Sequence, residues 1–167
     1  MSGKDTNPAL HGRHDRLIQE EVHDPYKSRQ KLSGPTLCPD CKAVFSGGRW
    51  QWLEDMPQPA HTTTCPACSR VHDKVPAGIL TVGGEFFQGH RDQIMNLVHN
   101  KIDAEKAQHP LKRLMDIEEH DDGSLVATFT DTHLPSDVGK ALMRAYKGRV
   151  HIQYGQDEDL TRVEWTR

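Results

Sequence analysis

Apolar positions change period several times along the second half of the chain. Ile94, Leu97, Val98 and Ile102 recur at i, i+3, i+4 and i+8, which predicts an amphipathic helix over residues 89–107 that stops before Pro110. Val138, Ala141, Leu142, Ala145 and Tyr146 form a second stripe, which predicts a helix over residues 134–147 ended by Gly148. Elsewhere the period is two or the run is short and apolar. GILTV (78–82) reads as a strand, and LKRLMDIEE (111–119) and SLVATFT (124–130) flank HDDG, where Asp-Gly supplies the positive φ of a hairpin turn. RVHIQYG (149–155), with Val150, Ile152 and Tyr154 alternating, and TRVEW (161–165) are joined by the acidic turn QDED and predict a closing hairpin. The order is β-α-β-β-α-β with one further strand. It places residues 76–167 in the α+β class as a ferredoxin-like sandwich, two helices over one face of an antiparallel sheet.

The first half lacks such periodicity. Residues 1–34 mix His, Asp, Arg, Gly, Pro and Ser around one short apolar cluster, Leu17 and Ile18. They read as a flexible arm with a candidate helix around Asp15–His23, either a disordered leader or a segment that orders on a protein partner. In residues 35–75, turn residues (Gly34-Pro35, Ser46-Gly47-Gly48, Pro57, Pro59) alternate with short β-like pieces, VF and RWQWL, which predicts a ribbon or knuckle module rather than helix.

Composition narrows the function classes. Over 167 residues the mean hydropathy is −0.74, which suits a modest core with polar segments. There is no long apolar run and no apolar signal region near the start, so a cytoplasmic protein without a membrane partner is expected. The net charge of −3 argues against indiscriminate nucleic-acid binding, so any such surface must come from local arrangement.

All four cysteines lie in two Cys-Pro-x-Cys knuckles, Cys38/Cys41 and Cys65/Cys68, with 23 residues between them. Paired knuckles suit a tetrahedral metal site, and a reduced cytoplasmic setting disfavours disulfides. Zinc is expected, with iron in the same four-sulfur geometry as the alternative. Four thiolates close the shell, so the role expected is structural. His61 and His72 flank the second knuckle as substitutes that a four-thiol set does not require. Arg49, Trp50 and Trp52 lie between the knuckles. The indoles either pack over the knuckles or onto the second module, or form a stacking surface for RNA bases or a protein groove.

Further along, Gly83-Gly84 in VGGEF lacks the spacing and lysine of a phosphate loop and reads as a tight turn. Lys140, Arg144 and Lys147 recur at i, i+4 and i+7 on the second predicted helix, with Arg149 beyond. This is either a phosphate-contacting face or a solvated face favoured by the helix dipole. The eleven histidines are scattered, with no HExxH or GxSxG and no small-molecule substrate evident, so an enzyme with a His- and Asp-lined cleft has no motif behind it.

The series CPxC…CPxC, GILTVGGEF, PLKRLMDIE, TFTDTHLPSDVGKALMRAYKGRV and a terminal VEW resembles the zinc-binding N-terminal half of the NMD-three family, export adaptors of the large ribosomal subunit in archaea and eukaryotes. It also resembles an uncharacterised bacterial zinc-binding group carrying the same half. The resemblance spans residues 35–166 and implies a ribosome or rRNA adaptor rather than a catalyst, with zinc at Cys38, Cys41, Cys65 and Cys68. Contacts are expected from Arg49, Trp50, Trp52 and Arg70 in the cysteine module and from Lys140, Arg144, Lys147 and Arg149 beyond it. A protein-interaction or regulatory module without RNA binding is the rival reading.

Overall fold

The computed structural model describes residues 24–27, 32–55, 58–59, 61–156 and 159–167. The candidate helix at Asp15–His23 lies outside them. The described chain is α+β, with two mixed sheets.

The cysteine module holds four short strands, β1 (Thr36–Leu37), β2 (Val44–Ser46), β3 (Arg49–Gln51) and β4 (His61–Thr62), in the order β3-β2-β1-β4. The β2–β3 hairpin turns on Gly47 and Gly48, whose φ of 61° and 84° match a two-residue loop with both central residues left-handed. One expectation fails here. The second knuckle opens a helix, α1 (Pro66–Asp73), because Cys65 caps it through its sulfur and Pro66 brings a preset φ to the first turn.

The second module runs β5 (Gly78–Gly83), α2 (Glu85–Gly89), α3 (Arg91–Gln108), β6 (Leu114–Glu119), β7 (Leu125–Phe129), α4 (Leu134–Tyr146), β8 (Arg149–Tyr154) and β9 (Thr161–Thr166). Its sheet has the order β6-β7-β5-β9-β8. The chain leaves α4 for the outer strand β8, and β9 returns between β8 and β5, antiparallel to β8 and parallel to β5. The sheet is therefore mixed, not antiparallel throughout. Alternation along the strands works as the sequence suggests. Leu80, Val82, Leu125, Ala127, Phe129, Val163 and Trp165 form one buried cluster with Ile94, Val98 and Ile102 of α3 and Leu134, Val138 and Leu142 of α4.

Three details depart from the sequence pattern. The register of β6 shifts between Leu114 and Asp116, so Leu114 and Ile117 both pack on the core although they are three residues apart. The first predicted helix forms as α3, but a short helix that the pattern did not announce, α2, precedes it and is set off from it at His90 (φ −131°), whose ring stacks on Phe86 at 4.0 Å. On α4, Ala145 is exposed and the buried face runs through Pro135, Val138, Gly139 and Leu142. The turn after β5 is closed from within: the Phe86 and Phe87 N–H groups donate to the Arg167 carbonyl at 2.8 and 3.2 Å. Those donors are thus already committed.

Candidate metal centre

The two knuckles meet because β1 and β4 lie side by side and each ends just before a cysteine pair. Cys38 follows β1, and its N–H donates to the Ala43 carbonyl at 2.9 Å, closing the first knuckle. The Lys42 N–H donates to the Cys38 carbonyl at 3.0 Å, with Lys42 itself left-handed at φ 67°. Cys65 follows β4, two residues after Thr63, whose N–H donates to the Leu37 carbonyl at 3.0 Å.

All four sulfurs lie within 4.8 Å of one another, and Cys41 Sγ and Cys65 Sγ are 3.7 Å apart. A tetrahedral ion with metal–sulfur bonds of about 2.3 Å needs sulfurs about 3.8 Å apart, so the set fits one ion. Cys38, Cys65 and Cys68 are buried and Cys41 is half-buried. Among the described residues this is the one group of three or more His, Cys, Asp or Glu side chains able to hold a metal. His61 and His72 stand outside it. His72 is exposed and its Nε2 lies 3.7 Å from Asp40.

Backbone donors already face the sulfurs: Cys65 N–H to Cys38 Sγ at 3.3 Å and Cys68 N–H to Cys65 Sγ at 3.4 Å. Burial alone would raise the Cys38 thiol, but hydrogen bonds from the Cys41, Cys65 and Asp40 backbone outweigh it and bring it down to about 7. Cys65 goes the other way, pushed up by burial and by the neighbouring sulfurs. Burial likewise raises Cys41.

A residue that the cysteine spacing gives no hint of completes the centre. Arg113, just before β6, donates from Nη2 to Cys65 Sγ at 3.2 Å and to Cys68 Sγ at 3.1 Å. Burial works against its charge, yet the bond to Cys68 and the field of Cys68, Cys65 and Cys41 hold its pKa above the usual value. Its neighbour Leu111 packs against the cysteine cluster. The only sequence signal was a cation inside the PLKR segment.

The tryptophans divide. Trp50 packs against the cysteine cluster and meets Phe45 edge-on at 5.6 Å. Trp52 is partly exposed, and its Nε1–H donates to the Lys106 carbonyl at the end of α3 at 2.7 Å, tying the two modules together. Arg49 is exposed. Arg70 requires correction as a contact residue. Its side chain is 5% exposed, donates to Asp24 at 2.9 Å and to the Val75 carbonyl at 3.2 Å, and stacks on Tyr26. Tyr26 in turn donates to Asp73 at 2.8 Å, so Arg70 holds residues 24–27 onto α1 and cannot face a partner. Lys140, Arg144, Lys147 and Arg149 are all exposed.

The fold and site define an α+β protein with a four-cysteine cluster that could hold a metal ion such as zinc. Compared with protein-family models, curated proteins and solved structures, the chain matches none. Among the described residues no helix is long and apolar enough to cross a membrane.

Proposed function

We propose that the protein is a non-enzymatic, zinc-stabilised accessory protein that docks on structured RNA, with ribosomal RNA the foremost candidate. The cysteine module serves as its zinc ribbon, and the second module is a ferredoxin-like sandwich with a strand inserted beside β5. The observation that carries the reading is the end of α4. Lys140, Arg144, Lys147 and Arg149 are exposed, and none forms an ion pair with a described residue. By contrast Arg70, Arg91, Lys101 and Lys112 are held by carboxylates and Arg113 by sulfurs. Free cations clustered on an otherwise acidic chain are what phosphate contact requires. Because Trp50 is turned onto the cysteine cluster, the proposed contact surface moves to the end of α4, while Arg49 and Trp52 stay exposed on the other module. The resemblance over residues 35–166 supports the choice of ribosomal RNA.

Zinc acts through folding in this reading. The cluster is the small core of the cysteine module, and metal binding supplies the free energy that such modules lack. Metal analysis of the purified chain should return one zinc per molecule, and a strong chelator should abolish the near-ultraviolet signal of Trp50 and Trp52 while that of buried Trp165 persists. Sedimentation through a sucrose gradient at low salt should place the tagged protein with ribosomal particles. Replacing Lys140, Arg144 and Lys147 with Gln should flatten the salt dependence of RNA binding by roughly 0.7–0.9 in log–log slope for each phosphate no longer neutralised. A protein that never travels with those particles would end the RNA reading.

One observation favours a protein partner instead. Val71 and Val75 are exposed, and Val71 lines a groove with Met115 and Val126 among the charged side chains of Lys74, Asp116 and Glu118, between α1 and the sheet face away from the helices. Partner recovery that survives nuclease treatment would support this second reading.

A further inference from the structure

We infer that Arg113 is a positioning residue of the metal centre, through which metal occupancy fixes the cysteine module to the sandwich. The inference rests on the reading of the four cysteines as a metal site.

Arg113 belongs to the other module, 45 residues beyond Cys68 in the chain. One Nη2 group, with two hydrogens, faces the two sulfurs of the second knuckle at 3.2 and 3.1 Å. A divalent ion on four thiolates leaves a net charge of about −2, which is costly to bury without a cation beside it. Among the described residues Arg113 is the side-chain cation that hydrogen-bonds the sulfurs. The pairing is also accepted at a cost, since Arg113 Nε is buried with no hydrogen-bond partner.

The backbone behind the guanidinium is held on both sides. Arg113 N–H donates to Thr130 Oγ1 at 2.9 Å, Thr130 Oγ1 donates to the Leu111 carbonyl at 2.7 Å, and Thr130 N–H donates to the Arg113 carbonyl at 3.0 Å. Next to it, Lys112 Nζ lies 3.1 Å from Glu105 of α3 and 3.5 Å from Asp137 of α4. The segment 109–113 therefore touches the sulfurs, the sheet and both long helices. A charged acceptor on the metal side holds the guanidinium in place, and the same segment keeps Leu111 packed against the cysteine cluster.

The test compares the full-length wild type with Arg113→Gln and Arg113→Lys. It measures zinc affinity by chelator competition and hydrogen exchange at residues 109–113 and 130, each with and without zinc. The expected result is a 10- to 100-fold loss of zinc affinity in R113Q, as for other groups that orient metal ligands, and a smaller loss in R113K. Zinc should slow exchange at 109–113 in the wild type but not in R113Q. An R113Q affinity within about twofold of wild type, with unchanged zinc-dependent protection, would overturn the inference. If R113Q does not fold, the wild type decides alone: exchange at 109–113 that ignores zinc overturns the inference. A wild type that binds no metal refutes the metal site itself, and the inference with it.

Discussion

Single side chains here take roles that their residue type alone does not announce. Trp165 is fully buried in β9, and its Nε1–H still finds the Lys147 carbonyl at 2.8 Å. That bond holds the turn from α4 into β8, where Lys147 and Gly148 both have positive φ, of 64° and 87°. Trp165→Phe should keep most of the apolar packing and lose about 1 kcal/mol of stability, whereas Trp165→Ala should lose roughly 3–5 kcal/mol. Equilibrium denaturation reads both, and a Trp165→Phe variant as stable as wild type would mean that the hydrogen bond contributes nothing. Arg70 and Arg113 carry the same lesson. As letters in a sequence they are free cations; in the fold one clamps residues 24–27 and the other faces two sulfurs.

At the level of elements, α4 organises the sandwich. It packs over β5, β8 and β9 and against α3. Close approach is permitted by Gly139, where an added Cβ would lie 2.8 Å from Val163 Cγ1. Gly139→Ala sets two effects in opposition: better helix propensity, worth about 1 kcal/mol, and overpacking against a β-branched neighbour, worth about 1–3 kcal/mol. Overpacking should win, lowering the denaturant midpoint by the equivalent of about 1 kcal/mol; a midpoint that rises would show that Val163 can yield. The hairpins were legible because Asp-Gly and Gly-Gly demand particular turns, and Gly123 (φ 79°) and Gly47-Gly48 adopt them. The break at His90 was not, since it depends on Phe86 and on the Arg167 carbonyl arriving from the far end of the chain.

Across the whole molecule, a chain of charges joins α3, the 109–113 segment and α4: Lys101 to Glu105, Glu105 to Lys112, Lys112 to Asp137. Hydrogen bonds from Lys101 and Lys112 hold the Glu105 carboxyl below its ordinary range. A depressed folded pKa means that its contribution is complete above the unfolded value, near 4.5, and is lost as pH falls through the lower folded value. Glu105→Gln should therefore be less stable than wild type at neutral pH, and the gap should close as pH falls below 4.5 and through the lower folded value. Parallel melting curves from pH 7 to about pH 3 check this, and a gap that persists in acid would count against it.

Local matters were readable from the order of residues: the cysteine spacing, the two apolar stripes, the strand alternation and the glycine turns. Each depends on neighbours a few residues away, through helical or pleated geometry and through backbone angles that few residues tolerate. The helix at the second knuckle, the placing of β9 parallel to β5, the inward turn of Trp50 and the arrival of Arg113 at the sulfurs emerge only in the folded chain. Most of these are meetings of distant segments, 48 residues apart for Arg113 and Cys65. Which of several compatible partners a side chain meets is set by how the modules pack, and no local pattern encodes that.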